Sequence, residues 1–234
     1  MMRVSAIIPA AGIGKRLGAG YNKQYISLRG KPMVVHTLCT VADHRQIDEI
    51  IWVVGAGEVG KAQSMVEEYG LQKIAHIVSG GEERIDSVIK GLQFVNQEAD
   101  YVLVHDGARP LVTHALIAEC LRQAEATGAA IAAVPVKDTI KIVDTDSGLI
   151  TFTPERNHLW AAQTPQVIKR QWLLEAIAQI EDFTKVTDDS MLMEMSGKPT
   201  AVVVGSYENI KVTTPEDVQM AEMILEGRRD GENR

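Results

Sequence analysis

The sequence predicts an α/β fold: a three-layer, mostly parallel β-sheet with helices on both faces, plus a projecting β-hairpin arm. Three observations lead there. From Ser5 to Pro135, short apolar runs alternate with segments of helical pattern, the rhythm of βαβ units. The first run, Val4–Ile8, stops at Pro9 and opens directly into a glycine-rich, cationic loop, as a buried parallel strand feeding a ligand loop does. From Val136 to Trp160 the rhythm breaks into two short β-prone runs around a turn.

Taken in order, Ser5–Pro9 is the first strand, with a helix expected near Met33–Ala42. Ile50–Val54 precedes a helix near Val59–Tyr69, Ile74–Val78 one near Ile85–Val95, and Tyr101–His105 one near His114–Thr127. Ala130–Pro135 is the fifth apolar run. Within Val136–Trp160, the runs Thr139–Val143 and Ile150–Thr153 are joined by Asp144-Thr145-Asp146-Ser147-Gly148, a string of turn formers. A two-stranded hairpin is only marginally stable alone, so this one is expected to pack on another subunit. Ala161–Val167 contains Thr164-Pro165 and reads as an extended turn. A helix near Gln171–Ile180 follows. Thr187-Asp188-Asp189 then reads as the cap and acidic first turn of a helix over Ser190–Met195, with Met191, Met193 and Met195 as core filler. Ala201–Val204 is a strand. Thr214-Pro215-Glu216-Asp217 starts the last helix, with Thr as N-cap and Pro at the first position.

The totals bound the function. The 234 residues are 45% hydrophobic and carry a net charge of −7. At roughly 150 residues per domain, this is one domain spanning residues 1–234, with 136–160 as an excursion within it. The acidic balance argues against nucleic acid or a membrane surface as partner. A small anionic substrate has to be met by locally clustered cations. Cys39 and Cys120 lie in apolar helical segments and read as reduced core residues. No apolar run approaches the length of about 18 residues that a membrane span needs, and the N-terminus lacks a charged region before a long apolar one. A cytoplasmic protein is the expectation.

The loop after the first strand carries the chemistry. Gly12, Gly14, Gly18 and Gly20 let the backbone approach a ligand and offer N–H groups to anionic oxygens. Lys15, Arg16 and Lys23 add the positive charge a triphosphate requires. Two familiar phosphate loops do not fit. A Walker A loop needs G-x-x-x-x-G-K-[ST], but Arg16 follows Gly14-Lys15 and Pro9 stands where the first glycine belongs. A dinucleotide fingerprint needs its third glycine one place earlier than Gly18, and an acid after the second strand, where Gly55-Ala56-Gly57 stands instead.

In open α/β sheets, ligands sit beyond the carboxyl ends of the strands, so the segments there matter most. After the third strand comes Ser79-Gly80-Gly81-Glu82-Glu83-Arg84, with Ser87 one turn into the helix. Its glycines allow a flat ring close to the backbone; it is equally a plain turn and helix cap. After the fourth strand, Asp106 beside Gly107 is placed to hold Mg²⁺, which takes oxygen ligands and substrate phosphates. Arg109 can offer a two-pronged fork to a phosphate. His105 reads as structural. Thr139, Arg156 and Lys211 are by pattern alone a hydrogen-bonding residue and two cations that suit either a surface or a site.

Read together, the motifs form a series: Pro9-Ala10-Ala11-Gly12-x-Gly14-x-Arg16, Asn22-Lys23-Gln24-Tyr25, Gly80-Gly81-x-x-Arg84-x-x-Ser87, His105-Asp106-x-Ala108-Arg109-Pro110, Asp138-Thr139-x-Lys141, Arg156-x-x-Leu159-Trp160, Thr164-Pro165-Gln166 and Asn209-Ile210-Lys211-Val212-Thr213-x-Pro215-Glu216-Asp217. From Ser5 to about Ala221, this order resembles the methylerythritol phosphate cytidylyltransferases of non-mevalonate isoprenoid synthesis, within the sugar-phosphate nucleotidyltransferases and their Rossmann-like fold. Asn22 departs from the Pro that many members carry before the Lys. No second set of catalytic motifs follows, so the resemblance is to the stand-alone form.

The resemblance implies transfer of CMP from CTP to methylerythritol phosphate with loss of pyrophosphate. It implies Arg16 and Lys23 as the catalytic cations. CTP would lie on Ala10, Ala11, Gly12, Gly14, Lys15, Gly80, Gly81, Ser87 and Asp106, with Mg²⁺ or another divalent cation at Asp106. Arg109, Thr139, Arg156, Thr164 and Lys211 would hold the polyol phosphate. It also implies a homodimer in which the arm brings Thr139 and Arg156 to the partner's site. The alternative acceptor is another polyol phosphate such as ribitol 5-phosphate.

Overall fold

The computed structural model describes residues 2–12 and 22–232. The loop residues Gly14, Lys15, Arg16, Gly18 and Gly20 lie outside them. In chain order the elements are β1 (Val4–Pro9), the short pair β2 (Ser27–Leu28) and β3 (Lys31–Pro32), α1 (Met33–Asp43), β4 (Glu49–Val54), α2 (Val59–Tyr69), β5 (Ile74–Ser79), α3 (Arg84–Leu92), β6 (Tyr101–Val104), α4 (His114–Thr127) and β7 (Ala129–Pro135). The arm strands β8 (Ile142–Val143) and β9 (Ile150–Phe152) come next. Then follow β10 (Trp160–Lys169), α5 (Arg170–Gln179), α6 (Asp189–Met195), β11 (Ala201–Val204) and α7 (Pro215–Glu232).

Among the described residues, seven strands form one sheet in the order β11-β7-β10-β6-β1-β4-β5. All neighbours in it are parallel except β10, which runs antiparallel to both β6 and β7. The alternation of side chains along a strand divides the core. On β1, Ala6 and Ile8 face α1, α2 and α4 through Val34, Leu38, Ala62, Ile117 and Leu121. Ile7 faces the other way, into a cluster with Ile85 and Val88 of α3, Leu173 of α5 and Leu192 and Met193 of α6. This is the three-layer arrangement the sequence predicts, with helices on both faces.

Apart from the short pair β2 and β3, which the sequence pattern does not anticipate, the strands and helices up to β7 stand within one or two residues of their expected positions, except α3, which stops at Leu92, three residues short of Val95. Beyond β7 three readings need correction. Ala161–Val167 is not a turn but part of the ten-residue strand β10; the chain absorbs Thr164-Pro165 through a register shift between Ala162 and Gln166, the kind of irregularity at which a sheet accommodates proline. The arm strands are shorter than their β-prone runs. Of the three methionines, Met193 is fully buried in the core, but Met195 is 47% exposed.

Candidate active site

The loop after β6 is pinned to β1: the His105 N–H donates to the Ile7 carbonyl at 3.0 Å and the Gly107 N–H to the Pro9 carbonyl at 3.1 Å. Asp106 is thereby set beyond the carboxyl ends of the central strands. Its Oδ1 accepts from Arg84 Nε at 2.9 Å, its Oδ2 lies 2.8 Å from Lys211 Nζ, and Arg109 Nε stands 3.7 Å from that same oxygen. Burial alone would raise the carboxyl pKa, but the charges of Arg84 and Lys211 outweigh it and hold Asp106 well below the usual carboxylate range. Arg84 also grips Asp189 with both outer nitrogens, Nη1 to Oδ1 at 3.1 Å and Nη2 to Oδ2 at 2.7 Å. Burial works against the guanidinium charge, yet Asp189 and Asp106 together push its pKa further up. Three cations thus surround two carboxylates here, an excess that suits an anionic ligand.

His105 is structural, as expected. Its Nε2 lies 3.1 Å from the Arg109 carbonyl, which can only accept, so Nε2 carries the proton. Burial lowers its pKa to about 4, so the ring is neutral and Nδ1 accepts from the Thr164 hydroxyl at 2.9 Å. That hydroxyl also accepts from the Asp106 N–H at 3.1 Å. Thr164 is therefore engaged twice in fixing the Asp106 loop. Arg109 donates through Nη1 to the Asn209 carbonyl at 2.7 Å, while its buried Nε has no hydrogen-bond partner among the described residues. Such a buried donor without a hydrogen bond is costly, and the Asp106 carboxylate 3.7 Å away offsets part of that cost.

Lys23 sits in a single tight turn, Lys23–Tyr25. The Asn22 side chain caps that turn by accepting from the Gln24 N–H at 3.0 Å. The Asn22 amide also donates to the Ala10 carbonyl at 3.3 Å and to Glu58 at 2.8 Å. An asparagine at the departing position thus ties this turn to the residue after β1 and the residue before α2. Lys23 Nζ donates to the Val212 carbonyl at 3.1 Å, and the Val212 N–H donates to the Ala108 carbonyl at 2.8 Å, so the segment carrying Lys211 is tied both to Lys23 and to the loop after β6. Thr214 and Asp217 at the start of α7 hold this segment in place, Asp217 accepting from the Thr213 and Thr214 N–H groups at 2.8 and 2.9 Å.

The glycines after β5 have a packing reason beyond any ligand. A Cβ on Gly80 would lie 2.5 Å from the Ala11 Cβ and 2.6 Å from the Ser87 hydroxyl, and one on Gly81 would overlap Asp86. The Gly81 N–H donates to Ser87 Oγ at 3.2 Å, so this turn and the start of α3 form one folded unit beside Ala11.

Two cavities meet at this cluster. One is lined by Ala11, Gly12, Lys23, Gly81, Ser87 and Asp106, among others, and adjoins a groove reached by Gly80. The second is lined by Arg109, Gln163, Thr164, Gln166, Thr187 and Asp188. Arg84, Asp106 and Lys211 line both. Ala10 lies buried just behind the first cavity. Thr139 and Arg156 are not in either. Both are exposed on the arm, and Arg156 lines a separate hollow at the arm's base with Lys137 and Trp160. Gly14, Lys15 and Arg16 lie outside the described residues. Asp189 is a residue the sequence reading left as a helix-capping acid. It stands 105 positions from Arg84, and no local pattern marks the pair.

Among the described residues, no group of three or more His, Cys, Asp or Glu side chains could hold a metal by itself. Asp106 is a single carboxylate where the cavities join. It suits a hard cation such as Mg²⁺, which commonly binds through one or two carboxylates and the substrate's phosphates.

A family model described as 2-C-methyl-D-erythritol 4-phosphate cytidylyltransferase matches residues 4–227. A relative of that name from Alkaliphilus oremlandii is 51% identical over 232 residues, covering 98% of both chains. Another from Alkaliphilus metalliredigens is 49% identical, covering 98% of this chain and 96% of the relative. Among solved structures, 4-diphosphocytidyl-2C-methyl-D-erythritol synthase from Anaerococcus prevotii superposes with a TM-score of 0.84 at 33% identity, covering 96% of each chain.

Proposed function

The chain belongs to the 2-C-methyl-D-erythritol 4-phosphate cytidylyltransferase family, and from that premise we infer how its cavities divide the reaction. The protein is a cytidylyltransferase that transfers CMP from CTP to 2-C-methyl-D-erythritol 4-phosphate in isoprenoid precursor synthesis, releasing pyrophosphate. The ribitol 5-phosphate alternative has no counterpart among the relatives above. CTP lies in the cavity of Ala11, Gly12, Gly81 and Ser87, and the polyol phosphate in the cavity of Arg109 and Thr164. The observation that carries this division is the common wall of Arg84, Asp106 and Lys211 between the two cavities, since the reacting phosphates have to meet at one place.

An oxygen of the polyol phosphate attacks the α-phosphorus of CTP in line, and pyrophosphate departs. Both reactants are anions and the nucleophile is already ionised, so the work is neutralising and aligning charge. Lys23 presents its ammonium at the nucleotide cavity, and Arg16 with Lys15 and the Gly14 backbone completes the charge around the triphosphate. Lys211 and Arg109 face the incoming phosphate. Asp106 would hold Mg²⁺, which when bound adds positive charge at the phosphate oxygens. The neutral, internally bonded His105 takes no part in proton transfer.

The assembly we propose is a homodimer through residues 136–160. In its support, Thr139 and Arg156 stand away from their own chain's cavities, on an arm whose apolar residues are exposed. The compartment we propose is the cytoplasm, since Cys39 and Cys120 stand as free thiols, as a reducing environment keeps them. The test of function is pyrophosphate release with CTP and Mg²⁺, run in parallel with methylerythritol phosphate and ribitol 5-phosphate. Turnover only with the first is expected; preference for ribitol phosphate would overturn the acceptor assignment.

A further inference from the structure

Arg84, Asp106 and Lys211 form the wall shared by the two cavities. Arg84 is backed by Asp189. The Asp189 side chain is 0% exposed and lines neither cavity, so it touches no substrate. It takes both outer nitrogens of the guanidinium, at 3.1 and 2.7 Å, and leaves the third, Nε, on Asp106 Oδ1 at 2.9 Å. A two-pronged contact to a planar group fixes its plane as well as its position, so the direction of the Nε–H toward Asp106 is set from behind. Asp189 is itself anchored. The next residue, Ser190, donates its N–H to Gln166 Oε1 at 2.9 Å, and the Gln166 amide donates to Asp188 at 2.9 Å, which ties the start of α6 to β10 in the sheet. Arg84 is the first residue of α3, directly after the Gly80–Glu83 turn, and Glu83 and Asp86 cap that helix reciprocally.

We propose that Asp189 is a positioning residue of the transfer reaction: it locks Arg84 so that Arg84 holds Asp106, keeping rigid the wall at which the two substrates meet. This rests on the division of the cavities between nucleotide and acceptor given above. An Asp189 that merely neutralised a buried guanidinium would affect stability and leave turnover of the folded enzyme unchanged. One that positions Arg84 affects alignment, which appears in kcat.

The experiment compares Asp189→Asn, Arg84→Gln and the double variant. Folded fraction is followed by thermal melting, kcat is measured at saturation with both substrates, and CTP affinity by calorimetry without metal. The expected result for Asp189→Asn is kcat at least ten-fold lower with CTP affinity within three-fold of the parent. Because Asp189 acts through Arg84, the double variant is expected to be no slower than Arg84→Gln alone; effects that multiply would overturn the proposal. So would a parental kcat in folded Asp189→Asn. Should Asp189→Asn fail to fold, the pair Asp189→Leu with Arg84→Met replaces the ion pair by apolar side chains, an exchange that buried pairs often tolerate. That pair is expected to fold and lose at least ten-fold in kcat, and parental turnover in it would equally overturn the idea. An unaltered enzyme that releases no pyrophosphate from CTP and methylerythritol phosphate would instead sink the reading of function.

Discussion

Around Asp106 the side chains are polar, mostly buried or half-buried, and paired across long stretches of chain. In the arm, Ile142, Val143, Leu149, Ile150 and Phe152 are apolar and exposed, Leu149 by 68%, and the hydrogen bonds stay within the arm. Asp144 donates its N–H to the Leu149 carbonyl at 2.9 Å, and Thr151 donates to the Ile142 carbonyl at 3.0 Å. The first region is drawn from β1, α3, β6, α6 and the segment before α7 and closes on itself. The second holds together locally but leaves its apolar surface uncovered, which a monomer avoids. The difference separates a cluster whose described residues pair with one another from an arm whose uncovered apolar surface fits the proposed contact with a second copy.

The largest expected effect is at the catalytic cations. Lys23→Ala and Arg16→Ala are each expected to lower turnover by at least about 100-fold, the cost of removing one preorganised charge from the transition state, with the fold retained. Steady-state assay at saturating CTP checks this; near-normal turnover in either variant would remove that residue from the reaction.

The next effect sharpens the contrast by mixing. An Arg156→Ala chain and a Lys23→Ala chain, each inactive alone, are expected to recover roughly a quarter of parental activity per site after subunit exchange. Half the dimers are mixed, and one of their two sites has both residues intact. Exchange demonstrated by labelled subunits without recovery would mean that Arg156 serves its own chain, and a monomer in sedimentation would end the idea of a shared site.

The smallest effect is within the arm. Gly148 closes the turn at φ +70°, a left-handed conformation that costs other residues about 1 kcal/mol. Gly148→Ala is therefore expected to weaken dimerisation by about 30-fold for two arms, with turnover per dimer unchanged. An unaltered dissociation constant would show that the turn does not set the arm's geometry.

Much of this was legible in the sequence because it is local. Val4–Pro9 and Glu49–Val54 are apolar runs of strand length, and Val59–Tyr69 carries its helical pattern in full. The loop segments beyond the strands held the right residue types, since backbone approach, phosphate and cation binding each need particular ones. What stayed hidden is non-local. β10 was obscured by Gln163, Thr164 and Pro165, polar and strand-breaking residues that survive in the middle of a sheet because the Thr164 hydroxyl bonds to His105 and Asp106 just beyond β6 and the Gln163 side chain bonds to Asn209. The Arg84–Asp189 pair joins two helix starts that resemble ordinary caps. Asn22 looked like a neutral departure, and only the fold brings Ala10 and Glu58 within its reach.

The strand order has a consequence for how the chain is made. Among the described residues, β10 alone joins β6-β1-β4-β5 to β7 and the later β11, so β7 stays separate from the first four strands until Lys169 has been synthesised. The last residue of β6 is Val104; at ribosomal rates of about 5–20 residues per second, its open edge waits roughly 3–13 s for that strand. Unpaired edges recruit other strands. A chain ending before Trp160 is accordingly expected to aggregate faster in sedimentation than one ending after Lys169, so that the nascent protein depends on protection during that interval.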